Sequence, residues 1–270
     1  MKNIITKSYF EVIRSGINTT FQVSGRKNLY HIGIPFSGAM DSRNFILANS
    51  IAGNKENTPV IEFAYQGPLL KFKGEKIDFN ITGNVSFKVI KKNKQIIGNC
   101  YQSYSLEDED QLIKVLNSHS HNSKRKLDHI NSKIENIRVI KGTNFNYFSD
   151  KAKKIFFEKE FEVTKLTDRM GMRLEGPKIE NIVDTNIKSE GIIKGVIQVP
   201  ADGNPIIMLS DHGTIGGYPK IGAVISSDYD KLVQLAPGSK IKFKEINLSD
   251  AEILFKLYEM ETQNLVSKIK

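Results

Sequence analysis

The chain has 270 residues, 39% hydrophobic and 26% charged, the balance of a soluble globular protein with length for one large or two modest domains. A single cysteine, Cys100, excludes an internal disulfide framework and a multi-cysteine metal site, in keeping with a reducing compartment. The net charge of +9 comes from lysines spread along the whole chain, without the basic stripe interleaved with aromatics that a nucleic-acid surface needs; an acidic small molecule or acidic protein fits that balance, and no nucleic-acid partner is expected.

The amino terminus, MKNIITKSYFEVIRSG, lacks the apolar core of a signal peptide. No later run approaches the roughly 18 apolar residues of a membrane span, so the expected location is the cytoplasm, with no membrane partner. Phe10–Ile13 and Thr20–Val23 read as strands separated by Ser15-Gly16. The loop HIGIPFSGAMD (31–41) follows, and its glycines and proline argue against regular structure. Asp41 is a good N-cap, and Phe45, Ala48, Ile51 and Ala52 share one helical face, which predicts a short helix over 42–52. Short strands at 59–64, 69–72, 79–82, 86–90 and 95–97, joined by Gly or Lys/Asn turns, make a β meander.

From Leu106 the character changes, with an acidic run at 107–110 and an almost wholly polar stretch from Asn117 to Lys133 holding His119, His121 and His129. A His-x-His pair is short of the three or four converging ligands that a metal site needs, so we read a polar linker over 117–136 and expect no metal. The expected division is a first module over 1–116 and a second over 137–270.

In the second module Ile137–Ile140 and Phe161–Thr164 read as strands, and TDRMGMRLEGP (167–177) alternates with period two. That pattern sends Met170, Met172 and Leu174 one way and Arg169, Gly171, Arg173 and Glu175 the other. Two guanidinium groups flanking a residue without a side chain can clamp a carboxylate or phosphate; the competing reading is an ordinary ion network with Asp168 and Glu175. Next comes KGVIQVPADGNPIIMLSDHGTIGGYPKIGAVISSD (194–228), three β-rich runs meeting at two glycine-rich loops. Ile206–Leu209 is apolar at every position, so both faces of that strand are covered, as in a closed barrel or sandwich. Its polar residues sit where the strands end: Gln198 and Asp202 at the hairpin, Asp211, His212 and Thr214 after the buried strand, Tyr218 and Lys220 before the next. Rigid strands place such loop residues well for binding, although the same residue types also make plain turns. We assign Asp211, Tyr218 and Lys220 as candidate catalytic residues and Arg169, Arg173, Gln198, Asp202 and Thr214 as candidate substrate-binding residues. A short helix from Asp228 to Leu235, a strand at 240–243 and a terminal helix begun by a Ser249–Glu252 capping box close the chain.

No P-loop, dinucleotide fingerprint, zincin motif or nucleophile elbow is present. The order of the segments GIPFSGAMDSRNFILANSIAGN, PVIEFAYQGPLLKF, IRVIKGTNFNYFS, TDRMGMRLEGPKI and GVIQVPADGNPIIMLSDHGTIGGYPKIGAVISSDYDKLVQLAPG resembles the biotin-dependent carboxyltransferase family. That family includes the second subunit of allophanate hydrolase, the C subunit of ATP-dependent 5-oxoprolinase and the antagonist of a sporulation-kinase inhibitor. The resemblance implies a mainly β fold of two cyclophilin-like β-barrel modules with few short helices. It implies as partners a homologous first subunit and a lactam-utilisation-type subunit, with a small anionic substrate. It further implies opening of 5-oxoproline to glutamate at the expense of ATP, for which this chain carries no P-loop, with Arg169 and Arg173 at the family's arginine positions. Where relatives carry a glycine-rich block before Ile137, this chain has the polar linker, which leaves two alternatives open. One is a non-catalytic regulator that binds a homologous partner or a kinase inhibitor; the other is a carboxyltransferase component that uses carboxybiotin held on another protein.

Overall fold

The computed structural model describes residues 8–92, 94–115 and 134–269, so His119, His121 and His129 and most of the polar stretch lie outside the described residues. The first half contributes strands β1 (Ser8–Arg14), β2 (Ile17–Gln22), β3 (Val60–Ala64), β4 (Leu69–Gly74), β5 (Ile77–Asn80), β6 (Ser86–Lys91), β7 (Lys94–Gly98), β8 (Ser103–Leu106) and β9 (Gln111–Val115), with helix α1 (Ser42–Ile51). The second contributes β10 (Ile134–Lys141), α2 (Asp150–Glu158), β11 (Phe161–Val163), β12 (Gly171–Glu175), β13 (Glu190–Gly191), β14 (Val196–Gln198), β15 (Ile206–Met208), β16 (Ile215–Gly216), β17 (Lys220–Val224), α3 (Ser226–Leu232), β18 (Lys240–Glu245) and α4 (Leu248–Ile269). The fold is mainly β.

Two compact units result, and they are not divided linearly along the chain. One takes the chain up to Val23, from Arg43 through β9, and from Leu265 onward; the other takes Ser24–Ser42 and β10 through Asn264. In the first unit an antiparallel five-stranded sheet runs β1-β4-β9-β6-β7, beside the two-stranded ribbons β2-β3 and β5-β8. Its core gathers Phe72, Phe87, Val89 and Leu106, with the Phe87 ring edge-on to Tyr104 at 5.4 Å.

In the second unit seven strands close a barrel in the order β10-β17-β14-β15-β12-β11-β18, and the closing pair β10-β18 is parallel. Inward residues alternate along each strand, as period two requires: Ile137 and Val139, Met172 and Leu174, Ile241 and Phe243 are all buried. Burial of each such side chain contributes roughly 1.5–3 kcal/mol. Helix α2 starts at Ser149, whose hydroxyl accepts the Ala152 N–H at 3.1 Å, and lays Phe156 on Phe243 with ring centroids 4.5 Å apart.

The structure revises two local expectations. The alternation read over 169–175 begins only at Gly171: the Asp168 carboxylate accepts the Met170 and Gly171 N–H groups and turns the chain there, leaving Met170 exposed. The cap of α4 is Asn247, whose Oδ1 accepts the Asp250 N–H at 2.8 Å, so the helix begins ahead of the predicted box. Its covered face runs through Ala251, Leu254, Tyr258 and Thr262, and Ile253 and Leu257 are exposed.

Candidate functional site

Strand registers sort the polar residues of the barrel to two ends. β14 and β17 run antiparallel with Val196 opposite Ala223 and Gln198 opposite Lys220, and β15 lies against β12 with Met208 opposite Gly171. Residues before β14, after β15 and before β12 therefore gather at one end: Lys194, Asp211, His212 and Arg169. Gln198, Tyr218 and Lys220 gather at the other.

The first end is covered by the Ser24–Ser42 segment. The Ser37 N–H donates to the Ser210 carbonyl at 3.0 Å, and Met40 packs on the barrel core. Ser37 and Gly38 both hold left-handed backbone, φ 55° and 81°. Gly38 is required there, since a Cβ would come 2.6 Å from the Gly25 nitrogen, and Ser37 is a non-glycine held at a cost, as residues at functional sites often are. This turn sends the Ser37 hydroxyl to Asp211 Oδ1 and the Gly38 carbonyl to Arg169 Nη2, 2.6 Å away. Arg169 completes a fork on the same carboxylate, Nε to Oδ2 at 2.7 Å and Nη2 to Oδ1 at 3.2 Å. Burial alone would raise the Asp211 pKa; the bonds from Arg169 and Ser37, with the charges of Arg169 and Arg26, outweigh it and hold the carboxyl below its usual range.

Next to this network His212 is buried, with Nδ1 2.6 Å from the Gly213 carbonyl and Nε2 3.1 Å from the Tyr30 hydroxyl. A carbonyl only accepts, so Nδ1 carries the hydrogen and Nε2 accepts from Tyr30. Desolvation, aided by the positive Lys194, lowers the His212 pKa against the opposing pull of the Gly213 carbonyl and Asp211 and keeps the ring neutral. Lys194 itself is pushed down by burial although Asp230 and Asp41 attract its charge, and its Nζ sits 4.3 Å above the Tyr229 ring. Those two carboxylates are fixed in turn: Asp230 accepts from the Ser42 N–H at 3.0 Å and from the Tyr258 hydroxyl, and Asp41 from Gln234 Nε2 at 2.7 Å. A neutral imidazole and an amine with a weakened hold on its proton, between rigid acids, is an arrangement suited to proton transfer.

Of the remaining candidates Thr214 stays near the covering segment, its Oγ1 3.9 Å from a Cβ built on Gly33, and the others lie elsewhere. The Arg173 side chain is exposed, while Arg169 is turned to Asp211 and Gly38; the space beside Gly171 is filled, an added Cβ there lying 3.0 Å from Ile206 Cγ2. The two guanidinium groups thus do not converge on a shared gap. Asp202 is exposed and closes its own turn by accepting from the Asn204 N–H and Nδ2. The Thr214 carbonyl accepts from the Ile192 N–H at 2.9 Å. At the second end Gln198 Nε2 donates to the Tyr218 carbonyl at 3.2 Å, and Lys220 Nζ meets Glu190 at 2.8 Å. Sequence reasoning misses Tyr30, Ser37, Lys194 and Asp230 as site residues and reads Asp41 only as a cap. Adjacent Ser-Gly between a proline and an aspartate is the one visible cue.

Residues 32–115 and 101–245 match the family described as carboxyltransferase domain, subdomain A and B. The chain belongs to that family. Within it the chain is similar to the 5-oxoprolinase C subunit of Haemophilus influenzae, 29% identical over 86% of this chain and 89% of that one. The protein of the same name from Escherichia coli is 25% identical over 89% of this chain and 92% of its own length. In fold the chain is similar to the Kluyveromyces lactis urea carboxylase, with a TM-score of 0.80 and 22% identity over 95% of this chain and 29% of that one. Among the described residues no helix is long and apolar enough to cross a membrane, and no three His, Cys, Asp or Glu gather as a metal site.

Proposed function

We propose that this carboxyltransferase-family chain is a cytoplasmic component of an ATP-dependent lactam hydrolase that opens 5-oxoproline to glutamate, working with a homologous first subunit and a lactam-utilisation-type subunit. The reading is supported by the two relatives named as the C subunit of 5-oxoprolinase, each matched over most of its length. The observation that carries it is the Lys194–His212 pair at the Ser37-covered end of the barrel. Opening a lactam breaks the ring C–N bond, adds water oxygen to the carbonyl carbon and delivers a proton to the departing nitrogen. Lys194, with its weakened hold on a proton, supplies that proton, and neutral His212, whose Nδ1 is engaged by Gly213 and Nε2 by the Tyr30 hydroxyl, receives one from water relayed through Tyr30. Asp211, locked by Arg169 and Ser37, holds the loop that carries His212.

The chain carries no P-loop, and the barrel offers no free arginine cradle for a nucleoside triphosphate at Arg169, engaged with Asp211, or at Arg138, engaged with Asp228. We derive no step through ATP in this chain and assign nucleotide chemistry to a partner. Transfer of a carboxyl group from biotin held on another protein is the second reading, favoured by the family's description. Assembly of the chain with its partner subunits, ATP and 5-oxoproline decides among the readings. The proposal predicts glutamate and phosphate in equal amounts. An assembled complex without turnover overturns it in favour of a regulatory role, and loss of carboxyl from a carboxybiotin protein dependent on a small amide selects carboxyl transfer.

A further inference from the structure

The far end of the barrel holds a second charged arrangement that the proposed reaction does not use. Lys220 opens β17 with its side chain only 5% exposed, and its Nζ lies 2.8 Å from Glu190 Oε2. Asn144, also buried, is fixed on the same strand end: its Oδ1 accepts the Lys220 N–H at 3.1 Å and its own N–H donates to the Lys220 carbonyl at 3.2 Å. With Oδ1 so engaged, its amide nitrogen is the donor left for Glu190, and hydrogen bonds from both Lys220 and Asn144 lower the Glu190 pKa. A buried ammonium, held in place through Asn144, therefore meets an exposed carboxylate.

The carboxylate, by contrast, comes from an exposed arm. Glu190 belongs to β13, two residues long and paired only with the equally short β16, and its side chain is 44% exposed. A buried ammonium built into the barrel and a carboxylate lent by a surface arm make an acid-binding position occupied by the chain itself.

We infer that Lys220 and Asn144 form a binding site for the carboxylate of a small acid, and that Glu190 occupies it as a built-in, displaceable substitute. A tethered carboxylate competes at high effective concentration, so an external acid enters when the β13 arm lifts or when the acid makes further contacts of its own. The inference stands independently of the proposed reaction.

The test uses the full chain with Glu190→Ala, and Glu190→Gln as a second variant that keeps side-chain volume. Removal of Glu190 leaves a buried ammonium without its counterion and lowers Tm. Acetate, glutamate or 5-oxoproline, titrated against chloride at constant ionic strength, should raise the Tm of both variants by about 3 °C or more. The wild type should respond less than either variant, and the double variant Glu190→Ala/Lys220→Met should not respond. Equal responses to acetate and chloride, or an undiminished acetate response in the double variant, would overturn the site. A response to 5-oxoproline or glutamate well above that to acetate would identify an amino-acid-sized ligand.

Discussion

Arg169 and Arg173 lie four positions apart on one stretch, yet their surroundings differ, and so should the consequences of removing them. Arg169 gives Asp211 two charged hydrogen bonds and ties down the Gly38 carbonyl, whereas the Arg173 side chain is exposed. Arg169→Ala should cost about 1–3 kcal/mol, because a partly buried carboxylate loses its partner. Arg173→Ala should stay within about 0.5 kcal/mol, as exposed substitutions do. Urea titration of both variants checks this, and equal losses would place Arg169 among ordinary surface charges. Asp211 is legible as a site residue because it follows an all-apolar strand. Ser37 is not, because its role depends on a left-handed backbone that no serine announces.

At the scale of elements, the Ser24–Ser42 segment is the part of the amino-terminal half that belongs to the barrel unit and covers the candidate site. A Cβ on Gly38 would meet the Gly25 nitrogen and Cα, both backbone atoms that cannot swing aside, and φ at 81° is already unfavourable for alanine. Gly38→Ala should therefore release this segment by about 2 kcal/mol or more. Hydrogen exchange should quicken over 24–42 while β14, β15 and β17 stay protected; unchanged exchange would mean the segment is held elsewhere. The strands themselves are readable, since β14 and β15 carry β-branched runs around a proline- and glycine-rich turn, and Ile197 does pair with Ile207. Partner choice is not: nothing in the period of β10 or β18 says that they lie parallel and close the barrel. Helix α2 is absent from the sequence reading although Ala152, Ile155, Phe156 and Phe157 form an apolar side opposite Asp150, Lys151, Lys154 and Glu158.

For the whole molecule, the barrel separates two kinds of polar chemistry. One end couples a neutral histidine to a desolvated lysine under a covering segment; the other seats a carboxylate on a buried ammonium. The most direct measurement is glutamate formation by the assembled complex carrying Lys194→Met or His212→Asn, with Tm and assembly recorded alongside. The account predicts a fall of about 100-fold or more with assembly intact; wild-type turnover by both variants would contradict it.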